Sequence, residues 1–330
     1  MAASLADKLI ETSKQKAFSG EMLSPGEIVS LLELKGNDIE RLKRAAREVA
    51  AALTGNRCYL WGAIGLDYGC CRMNCDFCSL GEKWGLVKDA YTLREEDIIS
   101  RVRDYAANGV RWVTLRTTEF YPVETLCGLC EKIRSEVPGK YELGLNTGEL
   151  DAAAAVKLSQ AGCDFVYHAL RLGEGQNTRF DPKNRLDVLR IIKESPLDLM
   201  FCVEPIGPEH TNEEIAAICA CIAEHGAKVS GVMARVPVEG TPLGQAPQIS
   251  EERLAHITAV TRLACANAGT DISAHPASEI CMSAGANVAV IDSGAIPRSG
   301  EFCQSEWKGF TIAQAKEWFT KQNYQIGGPV

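Results

Sequence analysis

From Tyr59 onward, short apolar runs alternate with amphipathic stretches at a steady interval, the pattern of βα units around a parallel sheet. The runs predict eight strands, at 59–66, 111–116, 141–146, 164–170, 198–204, 229–236, 271–275 and 287–292. Helices are expected near 94–107, 123–136, 150–160, 185–194, 212–225, 250–268 and 277–284, with a last one at 311–321. Upstream, Ser24-Pro25-Gly26-Glu27 is a helix-start signal. Ile28, Leu31, Leu32, Ile39, Leu42, Ala46 and Val49 follow it at helical spacing, so 25–53 reads as a helical cap. Eight strands, each followed by a helix, predict an α/β protein built as a complete (β/α)8 TIM-type barrel. The expected organisation is a helical extension over 1–56, the barrel over 57–300, and a C-terminal helix and tail packed on it over 301–330. In such a barrel the chemistry gathers at the C-terminal ends of the strands, so polar residues there become candidates.

Composition narrows the partners. The 330 residues are 46% hydrophobic and 24% charged, which excludes intrinsic disorder and allows a sizeable core. A net charge of −8 without any Lys/Arg-rich run argues against nucleic acid or an anionic membrane as principal partner. The opening residues MAASLADKLIETSKQK mix polar and apolar positions too closely for a signal-peptide core. No run of ~18 apolar residues is present to span a bilayer, and a cytoplasmic location is expected. The fourteen cysteines are many for a cytosolic enzyme and sparse for a disulfide scaffold. They point to metal or redox chemistry.

Only the stretch from Cys70 to Cys78 is crowded, and it follows directly on the first predicted strand. Cys71, Cys75 and Cys78 can converge on an iron–sulfur cube or on zinc, since soft thiolates suit both. A structural zinc usually takes four ligands as two pairs, and no second pair of that kind sits at an obvious distance. The Cys-x3-Cys-x2-Cys spacing, with Phe77 before the last cysteine, resembles the radical S-adenosylmethionine (SAM) superfamily. The resemblance to its biotin synthase, HydE and PylB-like branch covers most of 25–320. It is carried by Lys183-Asn184-Arg185-Leu186, Gly240-Thr241-Pro242-Leu243 and Ala284-Gly285-Ala286-Asn287-Val288.

That resemblance implies a [4Fe-4S] cluster whose three irons are held by Cys71, Cys75 and Cys78, with SAM on the fourth. It implies reductive cleavage of SAM to methionine and a 5′-deoxyadenosyl radical that abstracts hydrogen from a substrate. It also implies an electron donor such as flavodoxin or ferredoxin. By the same resemblance Arg171, Glu174 and Arg185 contact SAM, although Arg171-Leu-Gly-Glu174 carries one residue more than the family's Arg-x-Glu pair. Thr118 and Glu119 stand where the superfamily has a glycine-rich element for the methionine amine, here without glycines. Biotin synthase holds a second cluster on three cysteines and an arginine. Aligning the strands places Val113, Gly144, Phe201 and Asp271 there, which disfavours its sulfur-insertion route. Cys202, one residue from the third position, is expected to point toward the outer helices.

Substrate candidates come from strand ends: Asn146, His168, Glu204, Arg235, His275 and Asp292. Acids, histidines and an arginine facing one cavity fit a small polar metabolite bearing a carboxylate or an amine. Rearrangement, C–C cleavage or C–S chemistry in cofactor or unusual amino-acid biosynthesis remain open. So do sulfur insertion with an auxiliary cluster or partner, and a non-catalytic metal-binding role. Cys127, Cys130, Cys219 and Cys221 read as helix packing. Cys303 is open between a surface thiol, a ligand and a lid residue.

Overall fold

The computed structural model describes residues 4–327, so residues 1–3 and 328–330 of the predicted end segments lie outside the described residues. Eight parallel strands form a closed barrel: β1 (Arg57–Gly65), β2 (Trp112–Arg116), β3 (Glu142–Asn146), β4 (Phe165–Tyr167), β5 (Asp198–Ile206), β6 (Val229–Ala234), β7 (Asp271–His275) and β8 (Val288–Ala295). Each strand pairs with its sequence neighbour, and β8 closes on β1 from Tyr59↔Val288 to Gly65↔Gly294. The complete (β/α)8 barrel is therefore present as expected.

Three helices precede the barrel: α1 (Leu5–Ser19), α2 (Pro25–Leu32) and α3 (Asn37–Thr54). The sequence reading expected a helical extension over 1–56 without delimiting α1, and ran α2 and α3 together as 25–53. The break follows Leu32, and Gly36, whose φ of 55° glycine tolerates, stands as the residue before α3. Ser24 caps α2 through a reciprocal bond with Glu27, the start signal seen in the sequence.

Seven helices connect the strands: α4 (Glu95–Ala107), α5 (Val123–Glu136), α6 (Ala152–Gln160), α7 (Pro182–Glu194), α8 (Asn212–His225), α9 (Glu251–Ala264) and α10 (Glu279–Ser283). After β8 comes α11 (Ile312–Lys321), which serves as the helix of the eighth unit. The chain around it is tied to the sheet: Phe302–Cys303 pairs antiparallel with β8, and Gln325–Ile326 pairs parallel with β1. α9 is buried from Leu254 to Ala264 because α1, α2 and α3 cover its outer side. That cover encloses Arg262, which donates to the Gly285 carbonyl and to Asn287 Oδ1 (2.8 Å from Nη2), so its charge is buried but hydrogen-bonded.

The barrel floor is aromatic. Trp61 meets Trp112, Phe165 and Tyr167 at centroid distances of 6.4, 6.2 and 6.0 Å. Gly144 makes room for the Phe165 ring, which a Cβ there would strike. Above this floor the interior opens toward the C-terminal strand ends.

Candidate active site

A cavity of ≈ 200 Å³ opens at that end, walled by strand ends and by the loop after β1. Asp67–Tyr68 pairs with Tyr91–Thr92, and the intervening loop carries the clustered cysteines. Asn74 adopts left-handed backbone (φ 44°), accepts from Lys83 N at 2.8 Å and donates to the Arg72 carbonyl at 2.7 Å. That turn folds the loop so that Cys71, Cys75, Phe77 and Cys78 all face the cavity. Neighbouring loops hold it: Asp76 N donates to Asn177 O (2.8 Å), Leu243 N to Asp76 O (3.0 Å) and Ser79 N to Pro297 O (2.9 Å).

Burial raises all three cavity thiols, that of Cys78 to about 11, so each loses its proton only to a cationic partner such as a metal centre. Among the described residues no three His, Cys, Asp or Glu side chains converge on a single ion. A cube presents a separate iron to each thiolate, so the three thiols on one wall fit a cluster better than zinc. Cys70, by contrast, is exposed.

On the β2–β4 side, Thr118 N donates to Asp67 Oδ1 at 2.8 Å and its hydroxyl donates to Oδ2. Glu119 Oε1 accepts only from Glu149 N, at 2.9 Å, and burial raises its carboxyl above the usual range. Arg171 lines the cavity, its Nη1 3.5 Å from Glu174 Oε2 and its Nε 3.5 Å from Glu204 Oε1. Behind it Arg185 Nε lies 3.6 Å from Glu174 Oε2, and both guanidiniums stack on Phe180. Arg185 Nη1 is buried without a hydrogen-bond partner. The Tyr167 hydroxyl donates to Glu204 Oε2 at 2.6 Å.

A second network occupies the β7–β8 side. Asp292 Oδ1 accepts from Arg116 Nη1 at 2.9 Å and Oδ2 from Arg298 Nη2 at 2.5 Å. Burial opposes ionisation of Asp292, but Arg298 and Arg116 more than offset it and hold the carboxyl well below its ordinary range. His275 Nε2 lies 3.1 Å from Asp292 Oδ2, yet neither ring nitrogen has a partner in hydrogen-bonding geometry. Trp307, from the segment between β8 and α11, stacks on His275 at 5.7 Å and 18°.

Burial, then Arg298, lowers His275 from an ordinary value of 6.5 to about 4. The unfolded chain takes up this proton below 6.5 while the folded chain stays neutral until about 4. The contribution to stability is therefore intact above 6.5 and is lost as pH falls toward 4, by on the order of 3 kcal/mol. Denaturation midpoints measured between about pH 7 and 4.5 should fall less steeply for His275→Gln than for the parent. Equal slopes would contradict the burial of this histidine in neutral form.

Of the residues singled out in the sequence, Cys71, Cys75, Cys78, Phe77, Thr118, Glu119, Asn146, Arg171, Glu204, Arg235, His275 and Asp292 line the one cavity. Glu174 and Arg185 stand behind Arg171. His168 lies beyond β4, since the predicted strand 164–170 pairs only over 165–167, and it is buried away from the cavity wall with Nε2 unpartnered. Arg235 is held by both oxygens of Glu209. Cys202 corrects an expectation: it faces the cavity, not the helices, with Sγ 3.5 Å from Ser273 Oγ. The inward residues of β2 and β5 are Thr114 and Cys202, not Val113 and Phe201, so the interior of the strands carries the Cys202 thiol. Cys130 and Cys219 are buried and Cys127 and Cys221 half-buried on outer helices. Cys303 packs with Val236, Ile296 and Trp307. The sequence reading missed Asp67, Arg116, Tyr167 and Arg298. Arg116 closes a predicted strand and so had a positional signal, whereas Arg298 sits in a loop and had none.

Among relatives, the biotin synthase of Citrifermentans bemidjiense is 24% identical over 266 residues, covering 78% of this chain and 80% of its own. That of Pelobacter propionicus is 31% identical over 171 residues, about half of each chain (50% and 49%). No protein-family model matches. Among solved structures, methylornithine synthase (PylB) superposes with a TM-score of 0.79 at 19% identity over 96% of this chain and 97% of its own. The hydrogenase maturase HydG of Carboxydothermus hydrogenoformans gives 0.79 at 16% identity, covering 97% and 80%. Those two likenesses concern the fold.

Proposed function

We propose that this chain, which belongs to the radical SAM superfamily, holds its [4Fe-4S] cluster on Cys71, Cys75 and Cys78 and acts on a small polar metabolite enclosed in the barrel. The observation that carries this reading is the placement of three thiols on the wall of the same cavity as the strand-end acids, arginines and His275. Reduction of such a cluster cleaves SAM to methionine and a 5′-deoxyadenosyl radical, the hydrogen-abstracting species. The chain supplies enclosure, orientation and charge.

Glu119, with one oxygen engaged by Glu149 N, accepts hydrogen bonds from the SAM ammonium. Arg171 on the cavity wall would pair with the SAM carboxylate, and Arg185, buried behind it with Nη1 unpartnered among the described residues, would add positive charge there. Thr118 is locked by Asp67 and so keeps Glu119 in register. Phe77 lines the cavity beside Cys78 and would shield a cluster held there. The aromatic floor excludes water from below. Asn146, Glu204, Arg235, His275 and Asp292 orient the substrate, for rearrangement, C–C cleavage or C–S chemistry. A one-electron donor of flavodoxin or ferredoxin type supplies the reducing equivalent.

Anaerobic incubation of the cluster-loaded protein with SAM and dithionite should yield methionine and 5′-deoxyadenosine. Neither product from protein with an intact cluster would reject the reading in favour of a non-catalytic, metal-binding role. A second reading, sulfur insertion, draws support from the biotin synthase relatives and from Cys202 inside the cavity. Iron analysis separates the two: the single-cluster reading expects about four irons per chain, and a further set that survives Cys71→Ala would favour the second.

A further inference from the structure

We propose that Arg298 and Arg116 form a binding site for a carboxylate group of the substrate, at the β7–β8 side of the cavity. The inference deepens the radical SAM reading by naming what that part of the cavity binds. Charge is its first support. The other buried cations near the cavity have their own acids: Arg171 and Arg185 share Glu174 and Glu204, and Arg235 is held by Glu209. Among the described residues Arg116 and Arg298 have Asp292 as their one acid within ion-pair distance, and with His275 uncharged this local group keeps one positive charge in excess. Both side chains are nearly buried, at 11% and 13% exposure, where an unbalanced charge is unfavourable until an anion joins it.

Unspent donors are the second support. Arg116 uses Nη1 on Asp292 and Nη2 on the Ala295 carbonyl (2.9 Å), and its Nε is buried without a partner. Arg298 uses Nη2 on Asp292, its Nη1 reaches only the Met233 thioether at 3.5 Å, a weak acceptor, and its Nε is unpartnered. Trp307 lies under the Arg298 guanidinium, 4.7 Å from Cζ to the ring centroid, as well as against His275. The Arg298 guanidinium is thereby placed against the cavity with Nη1 free of any strong acceptor, a donor for one oxygen of a carboxylate. An ammonium would meet the same excess charge as repulsion.

The test uses propionate as probe and propylamine as its cationic counterpart, each titrated into the cluster-loaded protein with SAM and without reductant, followed by saturation-transfer NMR. Propionate is expected to bind saturably and propylamine not at the same concentrations. Arg298→Met should weaken propionate roughly ten-fold or more, and Arg298→Lys, which keeps the charge, should weaken it less. Protection of Arg298 from phenylglyoxal by propionate, mapped by peptide mass spectrometry on the unmutated protein, is expected as well and does not depend on any variant folding. Binding of propylamine in place of propionate, propionate binding untouched by Arg298→Met, or no protection of Arg298 would each overturn the site. Radical chemistry is read separately: 5′-deoxyadenosine formation without propionate binding sinks the carboxylate site alone, and propionate binding without 5′-deoxyadenosine sinks the radical reading alone.

Discussion

Replacing Cys71, Cys75 or Cys78 singly by alanine is expected to abolish formation of 5′-deoxyadenosine, by a factor of roughly 10³ or more, because the hard chemistry belongs to the bound group and, in the proposed assignment, each thiolate would hold one of its irons. Iron content should fall well below the parent's about four per chain. The fold should persist, since the three cysteines are only half-buried in a surface loop that backbone bonds from Asn177, Leu243 and Pro297 hold in place. Cys70→Ala is the internal control: Cys70 neighbours the motif but is exposed, and its loss should leave iron and activity unchanged. Full activity in Cys75→Ala, or equal loss in Cys70→Ala, would remove the assignment of the cluster to this loop.

The largest expected effect on stability comes from Asp292→Ala. It leaves two guanidiniums nearly buried beside each other without their shared carboxylate, and breaking a buried pair in this way costs about 3–5 kcal/mol. For a barrel of this size that is a drop in Tm on the order of 5–10 °C. The arrangement also predicts non-additivity. Once Asp292 is gone, Arg298→Met removes a repelling charge instead of a partner, so it should cost less in the Asp292→Ala background than in the parent. A double-mutant cycle by chemical denaturation reads the coupling directly, and strict additivity would mean that the Arg116–Asp292–Arg298 network does not act as a unit.

Much of this protein is legible without coordinates. The eight apolar runs each became a barrel strand, because a parallel strand buried on both faces is nearly continuously hydrophobic and stands out between amphipathic helices. That same property hid which side chains face inward. Residue order along a strand sets two alternating faces, but when both are apolar neither is marked as the interior. Cys202 was accordingly placed on the wrong face, and closure of the barrel, which sets Cys202 and Glu204 beside Tyr167 and Ser273, decided the matter. The break between α2 and α3 lay in the short stretch 33–36 inside an otherwise helical pattern.

The sequence by itself determined the βα repeat, the candidate polar side chains at the strand ends, and the three-thiol loop, all of which are local: hydrophobic period, turn residues and thiol spacing within a few positions. Only the tertiary structure decided the charge balance of the cavity. Arg116, His275, Asp292, Arg298 and Trp307 are distant in the chain and meet because β8 closes on β1, which bonds to β2, while the segment after β8 folds back over β7. Whether a buried charge is paired or in excess depends on neighbours that the linear order does not contain.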